Sequence, residues 1–353
     1  MGLFQLSKKK AGIGLDLGNK WIKTVRLTKK GKKLELNKLG RTYLKREEIE
    51  DKKKLREKIK ILLNSLSIKD REVSLSLAGH SVIIKRLKLP KSEGKEEKLE
   101  DTIKKHTKEH IPFDIENVYM DYFIIDNPEG DSKNIEYFLV ASKKNVVNEL
   151  KDFIEGANFK IEGIDVEGFA LCNCFEYNYP DYISDTTYLL DIGGVNTIFC
   201  VYSNGMPLLI RDISLGGDQL TDVVKQVLNK NFFECEKIKI NGFSSVAPKD
   251  KILIQQKMEE LYLTWIDEIQ KIIYFYISNN PENKEVENIY LSGGGSLSPK
   301  LKEVMEEHLE KNIDFLNPFR KIDIPIANFD LEYIKSVRPQ FAIATGLALR
   351  NFI

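Results

Sequence analysis

Two stretches of this 353-residue chain place an aspartate and glycines where an apolar strand meets a tight turn: Asp16 in GLDLGNK and Asp191 in LDIGGVN. A glycine turn that ends a strand exposes backbone N–H groups able to grip phosphate oxygens. Glycine is required there because a Cβ would clash with the phosphate or forbid a left-handed backbone. The aspartate beside each turn offers a carboxylate to Mg²⁺, which prefers oxygen ligands and keeps several waters. Two such hairpins facing each other would clamp a polyphosphate and its metal from both sides. In the plainer alternative, Asp16 and Asp191 end strands while Gly18, Gly193 and Gly194 simply turn the chain. A third cluster, Gly293, Gly294 and Gly295, lies in YLSGGGSLSPK. There Ser298 reads as an N-cap and Pro299 as the first helical residue. A helix start at that place favours an anion or a polar ring edge, although an ordinary strand-to-helix connection has the same pattern.

Other motifs carry less. Gly12, Gly14 and Gly18 resemble a dinucleotide fingerprint, but the spacing is GxGxxxG and a strand follows where a helix is required. No GxxxxGK[ST] loop is present. His106-Thr-Lys-Glu109-His110 fits an HxxEH zinc expression, yet Leu99, Ile103, His106 and His110 fall on one helical stripe that would pack on a sheet, and no third ligand is assigned. Cys172 and Cys174 read as helix packing. Lys8–Lys10 read as a solvated arm, or as a contact to an anionic membrane surface.

The elements that must hold these residues alternate. Residues 11–17, 20–28 and 33–39 read as strands, the last after a turn at Gly31. A helix is expected over 51–66, with Leu55, Ile59, Leu62, Leu63 and Leu66 on one stripe. Strands are expected at 73–77, 81–89, 117–125 and 136–141, and helices at about 97–110 and 145–157, with a turn at Asn127, Pro128 and Gly130. Residues 186–210 repeat the pattern of 11–36: strand, Asp-apolar-Gly, short turn, second strand, glycine turn, third strand. The two copies lie about half the chain apart, which predicts two similar lobes of mixed α/β type facing one another.

Charge and composition bound the rest. With 54 Lys plus Arg against 53 Asp plus Glu, the net charge is +1, so no global basic field for nucleic acid is indicated. A hydrophobic fraction of 42% is ample for a core. No apolar run has membrane-spanning length, the N-terminal lysines follow the apolar residues rather than precede them as in a secretory signal, and the four cysteines form no CxxC pair. The expectation is a cytoplasmic protein.

The paired hairpins and the GGG loop resemble the actin, Hsp70 and FtsA superfamily. Within it the chain looks like the PilM family of type IV pilus assembly proteins. VSLSLAGHSVIIKRLKLP (73–90), HIPFDIENVYMDYFII (110–125), the block 137–171 and RPQFAIATGLALR (338–350) carry that resemblance over nearly the full length. It implies an actin-like ATPase fold of two lobes, each on an RNase H-like mixed sheet, with an FtsA-type inserted subdomain 1C. Subdomain 1A would combine 11–80, 160–185 and 336–353, 1C would be 81–159, and domain 2 would be 186–335. The cofactors implied are ATP and Mg²⁺. Asp16 and Asp191 would hold the metal through water. Gly18, Asn19 and Lys20 would form the first phosphate loop, and Gly193, Gly194, Val195, Asn196 and Thr197 the second. Gly293, Gly294, Gly295 and Ser296 would lie at the adenosine, Glu236 and Lys239 beside ribose and base, and Gly216 and Gly217 at a turn before a helix.

Two departures stand out. Asn19-Lys20-Trp21 occupies a place where relatives favour small hydroxyl residues, and Glu167-Gly-Phe-Ala replaces the usual Glu-Pro-Phe-Ala. Glu167 stands where relatives position or polarise a water, or it is a helix-start acid favoured by the macrodipole. The resemblance further implies a partner, the N-terminal cytoplasmic peptide of the inner-membrane protein PilN, in a groove between 1A and 1C, and a location beside the inner membrane through that partner. The alternatives are an FtsA-like division protein, which would want a C-terminal amphipathic helix beyond Asn351-Phe352-Ile353, a secretion-system scaffold, or a small-molecule kinase of the same superfamily. A kinase would need an acidic base and a substrate lobe, for which the sequence has no convincing motif.

Overall fold

The computed structural model describes residues 11–90, 99–125, 134–280 and 286–352. Lys8–Lys10, the turn at Asn127, Pro128 and Gly130, and Ile353 lie outside the described residues. The chain divides into two compact units, residues 77–158 and the remainder. In chain order it runs β1 (Ala11–Leu17), β2 (Trp21–Lys30), β3 (Lys33–Tyr43), α1 (Arg46–Ile49), α2 (Lys52–Ser65) and β4 (Glu72–Leu77). The smaller unit holds β5 (Val82–Pro90), α3 (Leu99–Lys108), β6 (Val118–Ile125), β7 (Asn134–Lys143) and α4 (Lys144–Glu155). The larger unit resumes with β8 (Lys160–Val166), α5 (Glu167–Asn178), β9 (Thr187–Ile192), β10 (Thr197–Ser203), β11 (Met206–Ile213), α6 (Gly217–Leu228), α7 (Phe232–Ile240) and α8 (Pro248–Asn279). It closes with β12 (Asn288–Ser292), α9 (Leu301–Leu309), β13 (Asn312–Phe315), α10 (Leu331–Val337) and α11 (Ala342–Leu349).

The larger unit contains two five-stranded sheets of matching order, β3-β2-β1-β4-β8 and β11-β10-β9-β12-β13. Each begins with an antiparallel meander, and its first strand then pairs in parallel with a later one, β1 with β4 and β9 with β12. The meanders also share their irregularities. Their third strands carry a bulge, Asn37 opposite Arg26/Leu27 and Leu208 opposite Val201/Tyr202, and their second turns place Gly31 and Gly205 at φ +65° and +75°. The sequence echo is therefore a repeat in three dimensions.

One helical layer joins the two sheets. Ala344, Ala348 and Leu349 of α11 pack with Val25, Leu27, Leu34 and Leu36, while its Ile343 and Leu347 join Leu171 and Phe175 of α5 against Leu189, Cys200 and Tyr202. This approach explains the first two glycines of the fingerprint lookalike. A methyl on Gly14 would stand 1.9 Å from Ala344 O, and one on Gly346 would stand 1.7 Å from Ala170 O. On the outer face of the second sheet, Ile254, Met258, Trp265, Ile269 and Ile273 of α8 cover Tyr188, Leu190 and Phe199 at helical spacing. Phe319, Ile322, Ile334 and Val337 pack on the first sheet, where Asp323 N donates to Leu34 O at 2.9 Å.

The smaller unit is a β5-β7-β6 antiparallel sheet with α3 and α4, built around Leu89, Ile103, Ile111, Val118, Tyr137 and Leu139. Among the described residues no helix is long and apolar enough to cross a membrane.

Candidate nucleotide site

The β1–β2 hairpin puts Asp16 directly opposite Lys23 in its antiparallel register. Asp16 is buried, and Lys23 Nζ lies 2.6 Å from its Oδ2, which nevertheless accepts no well-directed hydrogen bond. In the second lobe Asp191, also buried, accepts a hydrogen bond on Oδ2 from Ser292 Oγ at 2.7 Å, a bond set by the parallel register of Ser292 on β12 with Asp191 on β9. Glu167 begins α5. Burial, then the charges of Asp16, Asp191 and Asp212, push its carboxyl up to about 8, with Lys23 opposing. Burial raises Asp191 to about 6 against the pull of Lys23 and of the Ser292 hydrogen bond. Burial also works against the charge on Lys23, yet Asp16, Asp191 and Glu167 outweigh it and raise its pKa. One ammonium thus stands against two buried aspartates and a Glu167 that keeps its proton at neutral pH.

The glycine turns meet beside these acids. Gly193 N donates to Asn196 O at 2.9 Å, closing the second hairpin with Val195 exposed at its tip. Gly217 N donates to Gly193 O at 3.0 Å and Asp218 N to Gly194 O at 2.8 Å, so the start of α6 hangs on that hairpin. The approach leaves no room for side chains, since a methyl on Gly216 would lie 2.6 Å from Gly194 O. Gly293, at φ +82°, would carry a methyl 2.3 Å from Ile192 O, and Ser296 Oγ donates to Gly293 O at 2.7 Å. Space above Gly217 is bounded by Lys239 Nζ, Gly193 O and Gly295 Cα. Lys239 donates to Gly217 O and to Thr221 Oγ1, each at 2.7 Å, and pairs with Glu236 at 2.7 Å. The Thr221 hydroxyl is in turn hydrogen-bonded to Glu236.

Gly193, Gly194, Gly216, Gly217, Gly295, Glu236 and Lys239 therefore gather in one place, with Gly293, Gly294 and Ser296 on the adjoining loop. Gly18 and Asn19 form the tip of the other hairpin, Asn19 being exposed. Two residues differ in what their side chains do. Thr197 is fully buried and donates to Leu215 O at 2.9 Å, so its hydroxyl ties the hairpin to the next turn. Lys20 Nζ meets Asp218 Oδ2 at 2.9 Å. The helix expected to start at Pro299 behind a Ser298 cap starts instead at Leu301, with Lys300 left-handed at its N-cap, because residues 295–297 form a 3₁₀ turn.

Sequence reasoning missed Lys23. The signal was the hairpin itself, since a short turn between Leu17 and Trp21 makes residue 23 the cross-strand neighbour of residue 16. The HxxEH histidines are occupied with each other: His110 Nε2 lies 3.3 Å from His106 Nε2, and His106 Nδ1 lies 2.9 Å from Tyr137 Oη. Among the described residues no three His, Cys, Asp or Glu side chains gather to hold a metal.

The residues fit a nucleotide with its magnesium. Asp16 Oδ2 is a buried oxygen without a directed donor, the paired aspartates offer only oxygen, and two carboxylates suit an ion that keeps most of its waters.

A family model described as type IV pilus assembly protein PilM matches residues 14–352. The cell division protein FtsA of Bacillus subtilis (strain 168) is 23% identical over 245 residues, 63% of this chain and 51% of that protein, so the chain spans about half the length of this curated relative. Among solved structures, the PilM-PilN type IV pilus biogenesis complex aligns with a TM-score of 0.81 at 22% identity, covering 98% of this chain and 99% of that one. The ethanolamine utilization protein EutJ from Carboxydothermus hydrogenoformans aligns at 0.55 with 15% identity, covering 97% and 90%. MreB5 of Spiroplasma citri bound to ADP aligns at 0.50 with 10% identity, covering 96% and 95%. These likenesses establish an actin-like fold.

Proposed function

The chain belongs to the PilM family of type IV pilus assembly proteins, and from that premise we propose that it binds Mg-ATP between its two hairpins and passes the bound state to an inner-membrane partner. The observation that carries this reading is the burial of Asp16 and Asp191, one from each half of the repeat, around Lys23 and beside the glycine turns. Magnesium would supply the positive charge that makes polyphosphate tolerable beside two carboxylates. Asp16 and Asp191 would hold it through water, the N–H groups of Gly18, Asn19 and Gly194 to Asn196 would face phosphate oxygens, and Lys23 would exchange Asp16 for phosphate. Glu236 and Lys239 would meet the ribose and base beside Gly293 to Ser296. Glu167, protonated at neutral pH without metal, would ionise once cationic charge arrives and then orient a water, which allows at most slow turnover.

The subdomain reading follows from the same premise: 1A from 11–80, 160–185 and 336–353, 1C from 81–159 and domain 2 from 186–335, except that Phe319, Ile322 and Ile334, expected in domain 2, pack on the first sheet and go with 1A. The partner reading takes its support from the similar structure solved as a PilM-PilN complex. We propose that this chain receives the extended N-terminal peptide of a PilN-type protein and is held on the cytoplasmic side of the inner membrane by it.

The test is calorimetric titration with Mg-ATP, with Asp191→Ala in parallel and a PilN N-terminal peptide added at saturation. Binding weakened at least tenfold in the variant, with peptide affinity that depends on nucleotide, is the expected result. Equal binding by both proteins would remove the two-aspartate clamp.

A further inference from the structure

Lys20 does something that a phosphate-loop residue is not required to do. It sits at the foot of β2, its carbonyl accepting from Leu44 N at 2.8 Å. From there its side chain leaves the first lobe. Its methylenes run across Gly194, where a methyl would lie 2.7 Å from Lys20 Cγ. The ammonium ends 2.9 Å from Asp218 Oδ2 and 4.4 Å from the centroid of Phe232. The pair is well shielded, with side-chain exposures of 17% and 27%. Asp218 is not free to follow a departing lysine, because its own N–H is tied to Gly194 O.

A second bridge runs alongside. Trp21 meets Tyr43 edge-on with centroids 5.2 Å apart, and Tyr43 lies 5.7 Å from Phe233 on α7. Both bridges start in the first meander and end on α6 or α7 of the second lobe. The Lys20 bridge also crosses the tip of the second hairpin at Gly194, and the aromatic bridge ends on α7.

We propose that Lys20–Asp218, backed by the Trp21–Tyr43–Phe233 ladder, is a latch that holds the two lobes closed without ligand and must open for nucleotide to enter or leave. What it gates rests on the nucleotide reading above; that it fastens the lobes does not. A cation–carboxylate pair with low exposure and an aromatic backing persists at ordinary ionic strength. Opening it is a hinge event between discrete states, so it sets exchange rates in both directions.

The variants are Lys20→Ser, Asp218→Asn and the double variant, each checked for folding by its urea unfolding curve. Fluorescent ATP analogue association and dissociation are followed by stopped flow. Tryptophan emission and limited proteolysis are recorded without nucleotide, where Trp21 reports on the ladder and Trp265, in the α8 core, is common to all variants. Lys20→Ser and Asp218→Asn are each expected to raise association and dissociation rates together, about tenfold, with the double variant adding little. Emission of Lys20→Ser should shift to the red and cleavage near Trp21 should quicken. Loss of a simple phosphate ligand would instead raise dissociation alone, and that outcome overturns the latch. Wild-type emission, proteolysis and rates in a folded Lys20→Ser overturn it as well. If wild type binds no nucleotide, the clamp fails, while the red shift without nucleotide still decides the latch.

Discussion

Lys23 stands among Asp16, Asp191 and Glu167, and the proton on Glu167 settles the balance of charge there. Its folded pKa of about 8 lies above the ordinary glutamate value of 4.5. A carboxyl that keeps its proton in the fold after the unfolded chain has released it contributes stability that is complete below about pH 4.5 and lost as pH rises through 8. Asp191, at about 6, contributes in the same direction over the lower part of that window. In EDTA, urea unfolding should therefore show stability falling between pH 5 and 8.5 by of order 5 kcal/mol, at about 1.4 kcal/mol per pKa unit. Glu167→Gln, which needs no proton, should lose most of that slope. A variant that keeps the whole slope would assign the titration elsewhere. At this scale the sequence was partly legible. Asp16 and Asp191 announce themselves by the glycines after them, whereas Lys23 becomes visible only when the strand register is known, and Thr197 looks like a ligand until its bond to Leu215 is seen.

Among the elements, α11 decides how close the lobes' shared layer can be. Its eight residues are buried on every side, and the space it occupies exists because β1 has no Cβ at Gly14 and α11 has none at Gly346. Gly14→Ala would drive a methyl into the carbonyl of Ala344, backbone that cannot rotate away, so a loss of about 3 kcal/mol or more is expected from overpacking. Gly31→Ala is the natural control. It has positive φ but open space, and should cost only about 1–2 kcal/mol. Urea midpoints at constant m-value compare the two. Similar losses would mean that the helix moves aside and that the close approach is not required. The two meanders, α2 and the strands and helices of the smaller unit were readable from periodicity, because their apolar residues follow the strand or helix repeat, whereas α6 and α8 were not assigned. The start of α9 was not readable, since Ser298-Pro299 has the form of a cap, while the hydroxyl of Ser296 winds the preceding residues into a 3₁₀ turn and delays the helix to Leu301.

The whole molecule is a duplicated sheet with a separate unit, residues 77–158, inserted in the chain between β4 and β8 of the first copy. The duplication was legible because each copy opens with the same meander. The return of residues 319–337 to the first sheet was not, because Asp323 joins β3 through a single bridge in a stretch without strand or helix repeat. That return, together with α5 and α11, makes the two lobes one packed body. The inserted unit, by contrast, has a core of its own. A ligand held by Asp16 and Asp191 touches both lobes, so its binding energy should stabilise both at once. At a hundred times its dissociation constant, a ligand adds about 2.7 kcal/mol to the state that binds it. Hydrogen exchange with saturating Mg-ATP should then slow by about a hundredfold in β1 and β9 alike, for amides that exchange by opening of the larger unit. Amides of β7, whose protection comes from the separate core around Tyr137 and Leu139, should exchange at their former rate. Protection confined to β9 and α6 would mean that the ligand sits on one lobe without bridging. It would leave Asp16 and Lys23 as a structural ion pair rather than half of a clamp.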